Sequence, residues 1–231
     1  MKLSLIIPCY NESANLPLLL ERLRTITIYE GIEVVLVDNG STDETPTLLP
    51  KLLFDYSGCR SIRVEKNQGY GLGILSGIKA AFGEILGWTH ADMQTDPYDV
   101  IKGLELFNTY GPNIFVKGKR YGRPLVDVAF TVGMSLFETV FLQTPMCDIN
   151  AQPTLFSRDF FGQWHNAPND FSLDLYAYYQ AKKLGLSVHR FPVKISERAH
   201  GVSRWNVSWA AKKKFINRTI EYSIQLKRNL I

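Results

Sequence analysis

The chain has 231 residues, 45% hydrophobic and 21% charged, a composition that excludes wholesale disorder and a length that suits one α/β domain with or without a C-terminal extension. The formal charge of +4 is small, and the basic residues are not interleaved with aromatics on one face, so a nucleic-acid-binding module is disfavoured. Cys9, Cys59 and Cys147 lack a CxxC spacing, which argues against a disulfide framework or a zinc site and for buried free thiols in a reducing compartment.

Met1-Lys2 runs straight into the apolar stretch Leu3 to Ile7, leaving no room for a signal peptide, so a cytoplasmic location is expected. Short apolar runs at Leu3 to Ile7, Glu33 to Val37, Ser61 to Val64 and Glu84 to Trp88 read as strands. Helical patterns separate them at Ala14 to Thr25, Thr45 to Phe54 and Gly71 to Phe82, the first with leucines at 16, 19, 20 and 23 on one face. This alternation predicts βαβ units and a mostly parallel central sheet flanked by helices, with ligands at the carboxyl ends of the strands.

Farther along, Pro97 to Tyr110 reads as a helix and Asn113 to Lys117 as a strand. Leu125 to Leu142 reads as an amphipathic helix whose Asp127 and Glu138 make it a poor membrane span. Ser172 to Leu184 predicts another helix, Val188 to Ile195 a strand, and Ser208 to Arg228 a basic helix. Residues 1–205 are expected to form the domain, and 206–231 a helix that packs on it or lies on an anionic membrane surface.

Polar residues gather where the strands end: Asn11-Glu12, Asp38-Asn39-Gly40-Ser41, Asn67-Gln68-Gly69 and His90-Ala91-Asp92. Turn and N-cap chemistry accounts for any one of these loops, but not for all four. Tyr10 can stack on a base, and the carboxylates of Glu12 and Asp38 can accept hydrogen bonds from base or ribose.

In order and spacing, Pro8-Cys9-Tyr10-Asn11-Glu12, Val37-Asp38-Asn39-Gly40-Ser41-Thr42-Asp43, Asn67-Gln68-Gly69-Tyr70-Gly71 and His90-Ala91-Asp92-Met93-Gln94-Thr95-Asp96-Pro97 resemble the family-2 glycosyltransferases. The likeness extends to those of polyprenol- or dolichol-phosphate mannosyltransferase type. It implies the GT-A nucleotide-diphospho-sugar transferase fold and an inverting, metal-dependent transfer from a nucleotide-diphosphate sugar to a polyprenol phosphate. A saccharide hydroxyl is the alternative acceptor, and a catalytically degenerate nucleotide-sugar-binding regulator the alternative role.

By the resemblance, Pro8, Tyr10, Glu12 and Asp38 line the nucleotide pocket. Asp92, with Gln94 and His90, holds Mg²⁺ or Mn²⁺ against the diphosphate, where a hard cation on oxygen ligands neutralises the leaving group. His90 stands where relatives commonly carry Asp, and Asn39 where a second Asp is common. On the acceptor side the resemblance implies Arg120, in Gly118-Lys119-Arg120, as a phosphate contact, and Asp174 in a catalytic role. The late run Arg198-Ala199-His200-Gly201-Val202-Ser203-Arg204 resembles a loop that closes over the diphosphate, with Arg198 and Arg204 as counter-charges and Ser203 toward the acceptor.

Overall fold

In a computed structural model of the protein, residues 2–200 and 209–228 are described. Seven strands form one sheet: β1 (Leu3–Cys9), β2 (Ile32–Asn39), β3 (Cys59–Val64), β4 (Ile85–Trp88), β5 (Ile114–Tyr121), β6 (Thr154–Ser157) and β7 (Ser187–Lys194), in the order β3-β2-β1-β4-β6-β5-β7. β1 to β4 run parallel, as do β5 and β7, whereas β6 lies antiparallel to both of its neighbours.

The central strands are apolar on both faces because helices cover both. Ile6, Val35, Val37, Leu86 and Trp88 feed one core, and their chain neighbours Leu5, Ile7, Val34, Leu36 and Ile85 feed the other. Helix α1 (Leu16–Thr27) lays Leu16, Leu19, Leu20, Leu23 and Ile26 into the second core, a spacing of three and four residues that makes one helical face. Both α1 and α2 (Thr45–Leu52) carry a proline in the first turn, where the missing N–H costs nothing. On the other face, α3 (Tyr70–Ala80) approaches β1 so closely that a Cβ on Gly77 would stand 2.5 Å from Ile6 Cγ2.

The remaining helices are α4 (Asp99–Tyr110), α5 (Leu125–Phe141), α6 (Arg158–Phe161), α7 (Leu173–Lys183) and α8 (Trp209–Arg228). Strand β6 and the one-turn α6 have no counterpart in the sequence reading. Four residues are too few to display a period, and the Ser157 hydroxyl ends β6 by accepting the Phe160 N–H at 3.3 Å, which caps α6.

One helix and the cysteines differ in character from expectation. Helix α5 turns its polar residues inward: Ser135 and Glu138 are buried, while Leu125, Val126, Val132, Leu136 and Val140 are exposed. Helix α8 supplies the partner, because Ser223 Oγ lies 2.8 Å from Glu138 Oε1, Leu226 is buried beside it, and Lys227 Nζ donates to the Phe141 carbonyl at 3.1 Å. Of the three thiols, Cys9 is buried, Cys59 half-buried and Cys147 exposed, so uniform burial does not hold.

Candidate active site

The loops after β1 and β2 are laced together. Asn11, in a left-handed turn at φ 57°, donates its N–H to Ser41 Oγ at 3.0 Å and accepts the Thr42 N–H at 2.8 Å. Glu12 N–H donates to Thr45 Oγ1 at 3.0 Å and Ser13 N–H to Asp43 Oδ2 at 3.2 Å. Asp38, at the end of β2, accepts the Ser41 N–H at 3.0 Å and pairs with Arg63 Nη1 from β3 at 2.7 Å. Its neighbour Asn39 is structural: the amide donates to the Gly69 carbonyl at 2.9 Å and bridges to the loop that starts α3. Gly40 is obligatory between them, since its φ is +70° and a Cβ would meet Asn67 N at 2.4 Å.

Asp92 follows β4. The Thr89 N–H extends the ladder by donating to the Ile6 carbonyl at 3.1 Å, Met93 turns the chain at φ 60°, and the Gln94 N–H donates to Asp92 Oδ1 at 3.1 Å. The segment after β7 crosses this loop, tied by a 2.9 Å bond from Ser196 N–H to the Gln94 carbonyl. That tie brings Arg198 Nη2 to 2.8 Å from Asp92 Oδ2. Glu12 stands beside the pair, held by the Asn15 amide at 2.5 Å. Burial pushes the Glu12 carboxyl above the ordinary glutamate range against the opposing Asn15 bond, and the Asp92 charge adds to the rise.

The donor set suits a divalent cation shared with a diphosphate. No three His, Cys, Asp or Glu side chains among the described residues are grouped to hold a metal; a cation here would take one carboxylate from Asp92 and would need further oxygens from a ligand's phosphates, an arrangement Mg²⁺ accepts. The Arg198 guanidinium already occupies that carboxylate as a cation, and buried polar atoms without partners, Arg198 Nε and Asn15 Oδ1, lie in the same group of residues. His90 is half-buried, its ring 5.6 Å from that of Tyr70, which stacks on Phe171 at 4.7 Å.

Beneath this rim lies a polar cluster that the sequence reading passes over. Lys117, fully buried in β5, donates to Thr154 Oγ1 at 2.7 Å and sits 3.6 Å from Asp174 Oδ1. The same oxygen accepts from Gln152 Nε2 at 2.8 Å and from Trp88 Nε1 at 3.3 Å, and Gln152 Nε2 also reaches the Tyr70 hydroxyl at 3.4 Å. Burial pulls the Lys117 ammonium down to about 8 against the attraction of Asp174. An acceptor-side catalytic role for Asp174 does not fit this position: the residue is 2% exposed, and one oxygen already accepts from Gln152 and Trp88 with the Lys117 ammonium 3.6 Å away. A lysine directly after the apolar run Ile114-Phe115-Val116, still within the strand, is the signal that could have found the cluster.

Arg120 lies in a second ionic group. Its backbone N–H and Nε donate to Asp148 at 3.0 and 2.7 Å, its Nη2 closes the fork, and Arg123 Nη2 stands 3.7 Å from the same carboxylate. Burial alone would raise Asp148, but Arg120 and Arg123 hold it below the ordinary range. Two guanidiniums on one carboxylate leave a net positive charge at the start of α5. Ser203 and Arg204 lie outside the described residues.

The family model for glycosyl transferase family 2 matches residues 4–191. The undecaprenyl-phosphate 4-deoxy-4-formamido-L-arabinose transferase of Pseudomonas paraeruginosa is 35% identical over 106 residues, covering 44% of this chain and 31% of that protein. The enzyme of the same name from Pectobacterium carotovorum is 31% identical over 105 residues, covering 44% and 32%. The matched stretch thus spans about a third of these relatives. Among solved structures, the mannosyltransferase PcManGT from Pyrobaculum calidifontis, in complex with GDP-Man and Mn²⁺, superposes with a TM-score of 0.62 at 20% identity, covering 87% of this chain and 58% of that one. Glucosyl-3-phosphoglycerate synthase from Mycobacterium tuberculosis, with Mn²⁺, UDP-glucose and phosphoglyceric acid, gives 0.69 at 18% identity, covering 96% and 79%. At these identities the likeness is one of fold, and the fold is GT-A.

Proposed function

The chain belongs to glycosyl transferase family 2, and from that premise we propose that it transfers a sugar from a nucleotide-diphosphate donor to a polyprenol phosphate with inversion. The observation that carries this reading is the Asp92–Arg198 contact at 2.8 Å, a carboxylate and a guanidinium on the rim beside Glu12. Glu12 and Asp38 accept hydrogen bonds from base and ribose, Pro8 and Tyr10 border the base, and Arg198 exchanges Asp92 for the diphosphate. Mg²⁺ or Mn²⁺ on Asp92, with His90 and Gln94 within the same loop, would neutralise the leaving nucleoside diphosphate.

An acceptor oxygen then attacks the anomeric carbon as the bond to the diphosphate breaks. A phosphate acceptor is already ionised and needs no general base, which accords with Asp174 being engaged by the buried Lys117 and Asp148 by the half-buried Arg120. Arg120 and Arg123 offer the planar donors such a phosphate takes. Ser203 and Arg204 complete the reading as the segment over the diphosphate, and the enzyme would work at the cytoplasmic face of a membrane. Among the described residues no helix is long and apolar enough to cross one.

The test offers radiolabelled nucleotide sugars with Mn²⁺ or Mg²⁺ to the protein, with undecaprenyl phosphate or with oligosaccharides. Label in the organic phase is the expected result, with a loss of about 100-fold or more in Asp92→Ala. Label on the saccharide alone transfers the reading to a hydroxyl acceptor, and tight donor binding without turnover makes the protein a regulator.

A further inference from the structure

We propose that Tyr70 is a positioning residue for the Asp92 loop: its ring is the strut against which His90 rests, and its hydroxyl is held from below by the Lys117–Asp174–Gln152 cluster. What that loop does is taken from the transfer reading above; what holds it follows from packing alone. A buried lysine and aspartate add little net stability over apolar residues of the same volume, so stability does not account for them. Such a group supplies one fixed arrangement, because a buried polar atom that moves loses its partner and finds no water to replace it. Lys117 Nζ is engaged by Thr154 Oγ1 and Asp174, and Asp174 Oδ1 in turn takes the Gln152 amide at 2.8 Å. Gln152 is 1% exposed, and its main chain has no play: a Cβ on Gly118 would collide with the Gln152 carbonyl, while the Gly118 N–H donates to the Pro153 carbonyl at 3.1 Å. The amide nitrogen carries two protons, so it can serve Asp174 with one and the Tyr70 hydroxyl, at 3.4 Å, with the other.

Tyr70 carries that constraint to the rim. It opens α3, and the glycines on either side of it press the start of this helix onto the chain that leads into α7. A Cβ on Gly71 would stand 2.5 Å from the Pro168 carbonyl oxygen, one on Gly69 would collide with the Asn169 carbonyl, and the Leu72 N–H donates to that same carbonyl at 2.8 Å. With its backbone docked there, the Tyr70 ring stacks on Phe171 at 4.7 Å and 9°, and the Arg218 guanidinium of α8 lies 5.2 Å from the centre of the Phe171 ring. The other ring neighbour of Tyr70 is His90, at 5.6 Å and 34°. His90 stands two residues before Asp92, and Ala91 between them is 4% exposed, so the short segment is packed rather than free to absorb a displacement. A turn of the Tyr70 ring therefore moves His90 and, with it, the Asp92 carboxylate. The site takes its placement from Lys117 and Asp174, neither of which reaches the surface.

Nuclear magnetic resonance of the imidazoles in the full chain reads His90 directly and needs neither donor nor acceptor. The chain has four histidines, and loss of one set of signals in His90→Gln assigns that residue. Gln152→Met, close in volume but unable to hold the Tyr70 hydroxyl, is expected to displace the His90 signals, because the aromatic ring beside them turns. Phe107→Leu, in the core on the opposite face of the sheet and lowering the thermal midpoint, leaves them in place. His90 signals unmoved in Gln152→Met, or moved as far in Phe107→Leu, overturn the proposal. If Gln152→Met does not fold, Tyr70→Phe, which keeps the ring and drops its tie, is read in its place by the same two results. Transfer from labelled donor adds a second readout. Gln152→Met is expected to lower kcat about tenfold or more with the donor KM within about twofold of wild type, the mark of lost alignment rather than lost binding. A rise in KM with kcat unchanged overturns positioning. Wild-type protein that transfers nothing fails the transfer reading, and the His90 signals still decide this one.

Discussion

Arg198 holds the carboxylate that a cation and a diphosphate are proposed to use, so substrate-free protein keeps its site electrically balanced at the cost of competing with the metal. Replacing Arg198 by Ala removes the competitor and the diphosphate's counter-charge together, and its two effects have opposite signs. Titration calorimetry on Arg198→Ala should show Mn²⁺ bound more tightly than by wild type without nucleotide, and nucleoside diphosphate bound about tenfold more weakly with Mn²⁺ present, the worth of one charge-assisted bond. Tighter binding of both ligands would assign Arg198 a purely blocking role. At this scale legibility followed chain distance. Asp92, Glu12 and Asp38 sit in short runs whose chemistry reads directly, whereas Lys117 and Asp174, or Asp148 and Arg123, become partners only when β5 meets the segments after α5. Arg123 carried no motif of its own, and Asp174 read as an acceptor-side catalytic acid because nothing near it in sequence announced a buried lysine.

Helices were legible by period and illegible by direction. The pattern of α5 marks a helix with two unlike sides, but periodicity does not say which side meets the protein, and here the carboxylate went inward to meet α8. That choice has a pH signature. Burial raises Glu138 from 4.5 to about 7 against the hydrogen bond from Ser223, so the folded state keeps a proton that the unfolded chain releases. Stability from this group is full below the unfolded value and is lost as pH rises from 4.5 to about 7. Urea unfolding across that window should show a falling component of at most about 1.4 kcal/mol per pH unit. Glu138→Gln, which keeps a partner for Ser223, should flatten it; an unchanged slope would assign the dependence to other carboxyls. Strand β6 was illegible for a different reason, since four residues between β4 and β5 owe their conformation to the neighbours they pair with.

As a whole the molecule is a single sheet with a core on each face, and the candidate site collects loops from β1, β2 and β4 together with the segment that follows β7. A ligand bridging them should stabilise the entire fold. At 100 times its dissociation constant, GDP or UDP with Mn²⁺ contributes about 2.7 kcal/mol. In a domain of this size that raises the thermal midpoint by about 5–10 °C. A shift produced equally by Mn²⁺ alone would contradict a site in which the diphosphate completes the metal's ligands. The parallel half was legible because its strands and helices alternate at regular spacing. Beyond α4 the elements β5, α5, α7 and β7 were legible too, but their places in the sheet were not, because the sheet order there departs from chain order. That departure reaches into synthesis. β4 ends at Trp88, yet the strand that covers its open edge begins only at Thr154. While the ribosome makes the intervening stretch, the nascent chain presents an unpaired, apolar β edge, and slow or interrupted translation in that interval exposes the protein to aggregation before it has a fold to defend.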